Sequence, residues 1–475
     1  MTSPTLGHFW QALSNYQVTG REPVLSSVVV DSREAVTDSL FVALVGERVD
    51  GHNFVQDAFD QGAIAALVEQ EPSSDSAAID LRARDAAAIE AWDGSLPVCL
   101  WVENTVAAVQ GAAQLWRDQF AVRIIGITGS VGKSSTKELT YTVLSQRYDT
   151  FKSPGNRNSV LGLPPAIFDL RENHERAVLE MGMYTKGEIR RLCEISKPVI
   201  GVVTMIGPVH LERAGTMDTI VAAKRELVES LPNDGVAILN RDDERVMEMA
   251  AYTPAQVFTY GLDSRADLWA DQIHSMGLEG VNFTLHHGNE KLSLSVPMLG
   301  RHSVHTALRA TAVGLVEDLS WEEIVTGLNE TSLAEFRLVA VPGPKQSIII
   351  DDTYNSSPDS AMAALNLLSE LDGRKIAVMG DMLELGQLEE ESHRLVGRRV
   401  ADVAHTLIAI GERARTIASE ARKVGMSETN VYWVENAPES IPILEAMICD
   451  DDVVLIKGSY GMRMDRIVAE LGRID

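Results

Sequence analysis

The segment with the densest chemistry is Gly126-Ile127-Thr128-Gly129-Ser130-Val131-Gly132-Lys133-Ser134-Ser135. It follows an apolar run, Val122 to Ile127, and opens a stretch that reads as a helix. Glycines at such a junction let the backbone curl until several N–H groups face a phosphate, with the helix dipole behind them. Lys133 can reach the terminal phosphates and the Ser134 hydroxyl can bind magnesium. Gly129, Ser130, Val131, Gly132, Lys133, Ser134 and Ser135 are therefore predicted to hold a nucleoside triphosphate. Ile127 stands where an ordinary phosphate loop has its first glycine, so the spacing departs from that pattern. The alternative, a Gly-rich turn with an incidental lysine, fits the strand–loop–helix context poorly.

Three further side chains could join this site. Glu180 ends the apolar strand Ala177-Val178-Leu179, at the carboxyl edge where open parallel sheets bind ligands. It could complete a magnesium site or be a solvated strand-end acid. His210 follows the strand Val199 to Met205 through Gly207-Pro208, again at that edge; a lone histidine there is often structural. Lys224 lies four residues after Ile220 and three before Leu227, on the apolar face of a helix. Burial would favour its neutral amine, which can react with carbon dioxide to give an anionic metal-binding carbamate. A lysine that snorkels to solvent is the competing reading.

The composition narrows what such a site could serve. With 42 basic and 68 acidic side chains the formal net charge is −26, which disfavours nucleic acid as a partner. A small anion remains possible, since a few local donors suffice for one phosphate chain. The three cysteines form no close pair, which excludes a disulfide scaffold or a cysteine zinc site. No stretch reaches the ~18 apolar residues of a membrane span. Met1-Thr2-Ser3-Pro4 does not begin a basic segment followed by an apolar run. A reducing, cytoplasmic location is expected.

The elements needed to position these groups read as an α/β chain of three domains, at residues 1–101, 102–333 and 334–475. The first block carries a strand at Ser26 to Val30, a helix at Phe54 to Gly62 and a strand at Ala63 to Val68. Its Ala-, Asp- and Ser-rich stretch Glu71 to Asp93 is expected to be a peripheral helix or a loose insertion. The second block alternates apolar strands and helices, the pattern of a mostly parallel sheet with helices on both faces. From Val257 to Val296 the period becomes two (Val281, Phe283, Leu285; Leu292, Leu294, Val296), predicting a small antiparallel annex. The third block is Rossmann-like in its alternation, but no Gly-x-Gly-x-x-Gly turn follows its first strand, so a dinucleotide cofactor is not expected.

The loop, Glu180, His210 and Lys224, in that order, resemble the Mur ligase superfamily, and the likeness runs through all three blocks. Asp31-Ser32-Arg33 with Gly46-Glu47-Arg48-Val49-Asp50-Gly51-His52 looks like its UDP-binding domain. Gly155-Asn156-Arg157-Asn158 is similar to the family's Gly-Asn-x-Asn loop. Asp351-Asp352-Thr353-Tyr354-Asn355-Ser356-Ser357-Pro358 and Gly380-Asp381-Met382-Leu383-Glu384-Leu385-Gly386 resemble the branch that adds D-alanyl-D-alanine.

The resemblance implies an ATP-dependent amide-forming ligase of peptidoglycan synthesis, acting through an acyl phosphate on UDP-N-acetylmuramoyl-tripeptide and D-alanyl-D-alanine. The protein is expected to be a monomer. A sister ligase adding one amino acid, or a non-catalytic paralogue, are the alternatives. The resemblance also implies two magnesium ions, one on Ser134 and Glu180 and one on His210 with carbamylated Lys224. Lys133 and Arg337 would act on the γ-phosphate, with His302, Asp352 and Tyr354 near the rest of the ATP. Ser32, Arg33, Asn156, Asn158, Asn355 and Lys457 would meet the other substrates. The sequence departs from the family pattern at Ser303, Thr306, Phe336 and Tyr460.

Overall fold

The computed structural model describes residues 3–46, 49–74, 76–330 and 338–472. It contains three sheets, each with its own strand order. In the first, Val28–Val29, Leu40–Val42, Ala65–Val68, Val98–Trp101 and Ala77–Asp80 lie side by side in that order, all parallel. The stretch expected to be a helix or insertion thus supplies the edge strand Ala77–Asp80 and only a short helix, Ala87–Glu90. Only Ile79 of that strand is buried, so its apolar signal is a single residue.

The central sheet has nine strands, ordered Glu290–Val296, Val281–His287, Leu268–Ser275, Gln256–Gly261, Val236–Asn240, Ile200–Val203, Arg123–Thr128, Arg176–Glu180 and Thr150–Lys152. The six from Gln256–Gly261 to Thr150–Lys152 are parallel, and Leu268–Ser275 also pairs parallel with Gln256–Gly261. The antiparallel part begins only with Val281–His287. The predicted annex therefore extends the main sheet instead of standing apart. Its alternation arises because one face packs on the helix Ser303–Val316 while the other stays wet.

In the third sheet the order is Val339–Pro342, Ile348–Asp352, Val453–Lys457, Lys375–Gly380, Thr406–Ile410, Val431–Val434, with only the first strand antiparallel. Apolar packing is distributed unevenly among the three. One continuous core runs from Leu6 and Phe9 of the helix Leu6–Leu13, through Leu40, Leu67 and Leu100 of the first sheet, to Trp116, Leu179 and Leu227 around the second. Phe9 stacks on Phe168, which in turn lies against Trp116. The third sheet is covered on its two faces by separate clusters.

Candidate functional site

Both larger sheets reverse their strand order next to the residues singled out above. Arg123–Thr128 sits between Ile200–Val203 and Arg176–Glu180, and helices leave on opposite faces, opening a crevice at the carboxyl ends. The loop from Gly129 to Gly132 fills that crevice, and Gly132 caps the helix Lys133–Leu144. Two glycines are required by geometry. A Cβ on Gly129 (φ +145°) would lie 1.8 Å from Thr204 Oγ1, and Gly132 holds φ +88°. The loop is fixed from behind: Thr204 Oγ1 donates to the Val131 carbonyl at 2.7 Å, and Ser130 Oγ donates to Gly207 O at 2.9 Å. The first turn of that helix, at Lys133, Ser134 and Ser135, opens on the crevice, the end of a helix that suits an anion. Lys133 Nζ folds back on the Gly129 carbonyl at 2.9 Å.

Ser134 and Glu180 are brought together, with Ser134 Oγ donating to Glu180 Oε2 at 2.6 Å. The other carboxylate oxygen accepts from Asn158 Nδ2 at 2.7 Å, so the Gly155–Asn158 loop and the strand end share one polar cluster. Lys137, fully buried, anchors that loop by donating to the carbonyls of Ser153 and Gly155. Asn156 is exposed beside it. A hydroxyl and a carboxylate in contact at the foot of a phosphate loop form a hard-oxygen donor pair, the kind magnesium takes alongside waters and phosphate oxygens.

Lys224 does not snorkel. It is 1% exposed, and its Nζ donates to the Gly129 carbonyl at 2.8 Å. Burial, and secondly the charge of Lys133, push its amine well below the usual lysine value, while Glu180 opposes the shift. His210 holds a left-handed backbone (φ 55°) and pairs through Nδ1 with Glu384, which belongs to the third sheet's side of the molecule. Tyr184 meets the imidazole edge-on at 5.1 Å. Hydrogen bonding to His210 holds the Glu384 carboxyl below its ordinary value.

Across from the phosphate loop, the third sheet presents its own carboxyl edge. Asp352 and Lys457 end neighbouring strands and pair at 2.6 Å, with Lys457 also donating to the Asn355 carbonyl at 2.7 Å. Tyr354, two residues on from Asp352, has its ring 6.0 Å from that of Tyr460 and is not part of the cleft lining. Between the two edges is a cleft of about 790 Å³, lined by Ser130 to Ser135, His302, Asp352, Asn355 and Lys457 among others. Ser303 and Thr306 also line it. Ser303 caps a carbonyl of its own helix entry, Leu299, and Thr306 accepts from Arg309. Phe336 and Arg337 lie outside the described residues. Ser32 and Arg33 stand apart in a short turn of the first block, where Arg33 pairs with Asp31.

Sequence reasoning gave no role to Glu384, Lys137 or Arg309. Glu384 lay within a motif already singled out, but its partner is 174 residues away. Lys137 carried the same inward-lysine signal as Lys224, one turn after Lys133.

Three family models cover most of the chain: the Mur ligase family catalytic domain at residues 24–91, the Mur ligase middle domain at 127–314, and the Mur ligase glutamate ligase domain at 336–460. The UDP-N-acetylmuramoyl-tripeptide–D-alanyl-D-alanine ligase of Bacillus subtilis is 33% identical over 95% of this chain and 94% of its own. The enzyme of that name from Synechocystis is 32% identical over 94% and 92%. A crystal structure of MurF from Acinetobacter baumannii superposes with a TM-score of 0.84 at 29% identity, each chain covered completely. With three domain models in register and full-length relatives above 30% identity, the chain belongs to the Mur ligase family.

Proposed function

We propose that this chain ligates D-alanyl-D-alanine to UDP-N-acetylmuramoyl-tripeptide, the two substrates for which its full-length relatives are named, and that it drives the ligation with ATP. The observation that carries the reading is the near-complete alignment with such ligases, joined to a phosphate loop that faces the Asp352–Lys457 pair across one cleft. Residues 1–101 are assigned to the UDP-sugar peptide, with Ser32 and Arg33 as contacts. Residues 102–333 take ATP, and 334–475 take the incoming dipeptide.

The tripeptide carboxylate oxygen attacks the γ-phosphorus, the bond to the β-phosphate oxygen breaks, and ADP leaves. The dipeptide amine then attacks the acyl carbon of the mixed anhydride. Its C–O bond breaks, inorganic phosphate departs with the former carboxylate oxygen, and the amine loses a proton. Little covalent work falls to the protein, so catalysis rests on position and charge. Backbone N–H groups of Val131 to Ser135 cradle the phosphates and Lys133 leaves its carbonyl partners to neutralise them. Arg337 is assigned to the γ-phosphate, and His302, Asp352 and Tyr354 to the nucleoside. Asn156, Asn158, Asn355 and Lys457 orient the peptide and the amine.

Magnesium would be held by Ser134 with Glu180, and by His210 with carbamylated Lys224. It would supply charge compensation on the transferring phosphoryl group. The depressed amine of Lys224 is the form that carbon dioxide captures, which supports the carbamate. Replacing Lys224 with Ala should abolish ligation, and short carboxylic acids should restore part of it. Unchanged activity in K224A would remove the carbamate from the account. The proposed working form is a monomer in the cytoplasm, where ATP is available.

Phosphate release from ATP, measured with each substrate omitted in turn and the product weighed, tests the whole reading. Release that needs both substrates and yields a UDP-muramyl pentapeptide is expected. Release supported by a single amino acid would reassign the chain to a sister ligase.

A further inference from the structure

Arg309 is a buried cation that the reaction above does not use. It lies on the helix Ser303–Val316 and is 5% exposed, yet it lines the cleft. Its Nε donates to Thr136 Oγ1 at 2.7 Å and one terminal nitrogen donates to Thr306 Oγ1 at 2.8 Å. Both acceptors are neutral hydroxyls. Among the described residues no carboxylate comes within ion-pairing distance of this guanidinium. That terminal nitrogen stands 3.0 Å from where a Cβ on Gly132 would be, so the guanidinium lies close against the phosphate loop.

A buried guanidinium without an anionic partner is costly, and such charges in folded proteins are ordinarily paired. Here two hydroxyls clamp the fork, and Thr136 sits on the same helix whose first turn lines the cleft. The Tyr260 ring lies 5.8 Å from the guanidinium carbon but brings no net charge, and the open side of Arg309 is the cleft it lines. Arginine is well suited to an anion there because its planar fork bonds two phosphate oxygens at once.

Resting on the ATP reading of the cleft, we propose that Arg309 is a further nucleotide-binding residue, its guanidinium contacting the phosphate chain of ATP from the side opposite Lys133. Thr306, where the family pattern has asparagine, would then anchor this arginine and serve the nucleotide through it. The affinity of this chain for nucleotide would depend on phosphate charge more than on contacts to the base.

The test is titration of ATP, ADP and adenosine against the full chain carrying Arg309→Met or Arg309→Gln, with thermal unfolding of each. Methionine keeps the volume and glutamine keeps the hydrogen bonding, so one variant remains informative if the other does not fold. Loss of a charge-assisted bond should weaken ATP and ADP about ten- to a hundredfold while adenosine is unchanged. The melting temperature without nucleotide should hold or rise, because an uncompensated buried charge has gone. Equal weakening of all three ligands, or a lowered melting temperature with unaltered ATP affinity, would make Arg309 a packing residue and overturn the proposal. If ATP fails to bind the unsubstituted chain at all, the ATP reading of the cleft fails first.

Discussion

The two boundaries between sheets in this molecule are built from opposite materials. Where the first sheet meets the second, Phe9, Trp116 and Phe168 stack within one apolar core that does not register the boundary. Where the second meets the third, the surfaces present the phosphate loop, the Asp352–Lys457 pair and the His210–Glu384 contact around an open cleft. Apolar burial favours a fixed arrangement, because separating the surfaces exposes them to water. A polar boundary can part and reform, since each group finds a partner or water in either state. A ligase that must admit three substrates and then exclude water needs one boundary of each kind.

The sharpest way to break this comparison is at the cleft's phosphate loop. Replacing Lys133 with Met should lower ligation by roughly a thousandfold with little change in melting temperature, measured as phosphate release. At the fixed boundary the outcome should invert. Phe9→Ala should cost about 3–5 kcal/mol in denaturant unfolding, and the first two sheets should melt in one transition. Separate transitions for them would break the claim of a shared core.

Glu384→Gln sharpens the contrast from the other side. Its contact is part-exposed and crosses the polar boundary, so stability should move by less than about 1 kcal/mol. Ligation should nonetheless fall, by about tenfold, if the contact helps hold the closed form.

The last contrast concerns Glu22, which packs against Gly7 of the helix that carries Phe9. Burial alone would raise its carboxyl. Hydrogen bonds from the Thr19 N–H and hydroxyl and from Tyr16 overcome that and hold it at about 2, against an ordinary value of 4.5. A carboxylate with a depressed folded value stabilises fully above its unfolded value and loses that contribution as pH falls. The stability difference between the parent and Glu22→Gln should therefore be constant above about pH 5 and shrink towards pH 2 in acid unfolding curves.

What could be read in advance follows the range of the interaction. The phosphate loop was legible because strand, loop and helix are consecutive and each leaves a local signature. Lys224 was only half legible: its spacing to Ile220 and Leu227 put it on an apolar face, but position alone favoured a lysine reaching solvent, and it is buried. Its partner was not legible, since the Gly129 carbonyl lies 95 residues away. The His210–Glu384 contact depends on how two sheets are set against each other, which no periodicity encodes. The strand Ala77–Asp80 escaped because a half-exposed edge needs only one buried side chain. Arg309 escaped for a different reason. An arginine on a helix reads as a solvated face, and only the folded chain shows it turned inward onto Thr136.

The acyl phosphate is the centre of the account, and isotope transfer tests it most directly. UDP-muramyl tripeptide labelled with oxygen-18 in its terminal carboxylate would be ligated to D-alanyl-D-alanine, and the released phosphate analysed by mass. The account predicts one labelled oxygen in each phosphate, carried from the carboxylate through the anhydride. Phosphate free of label, or label appearing in a nucleotide product, would contradict it.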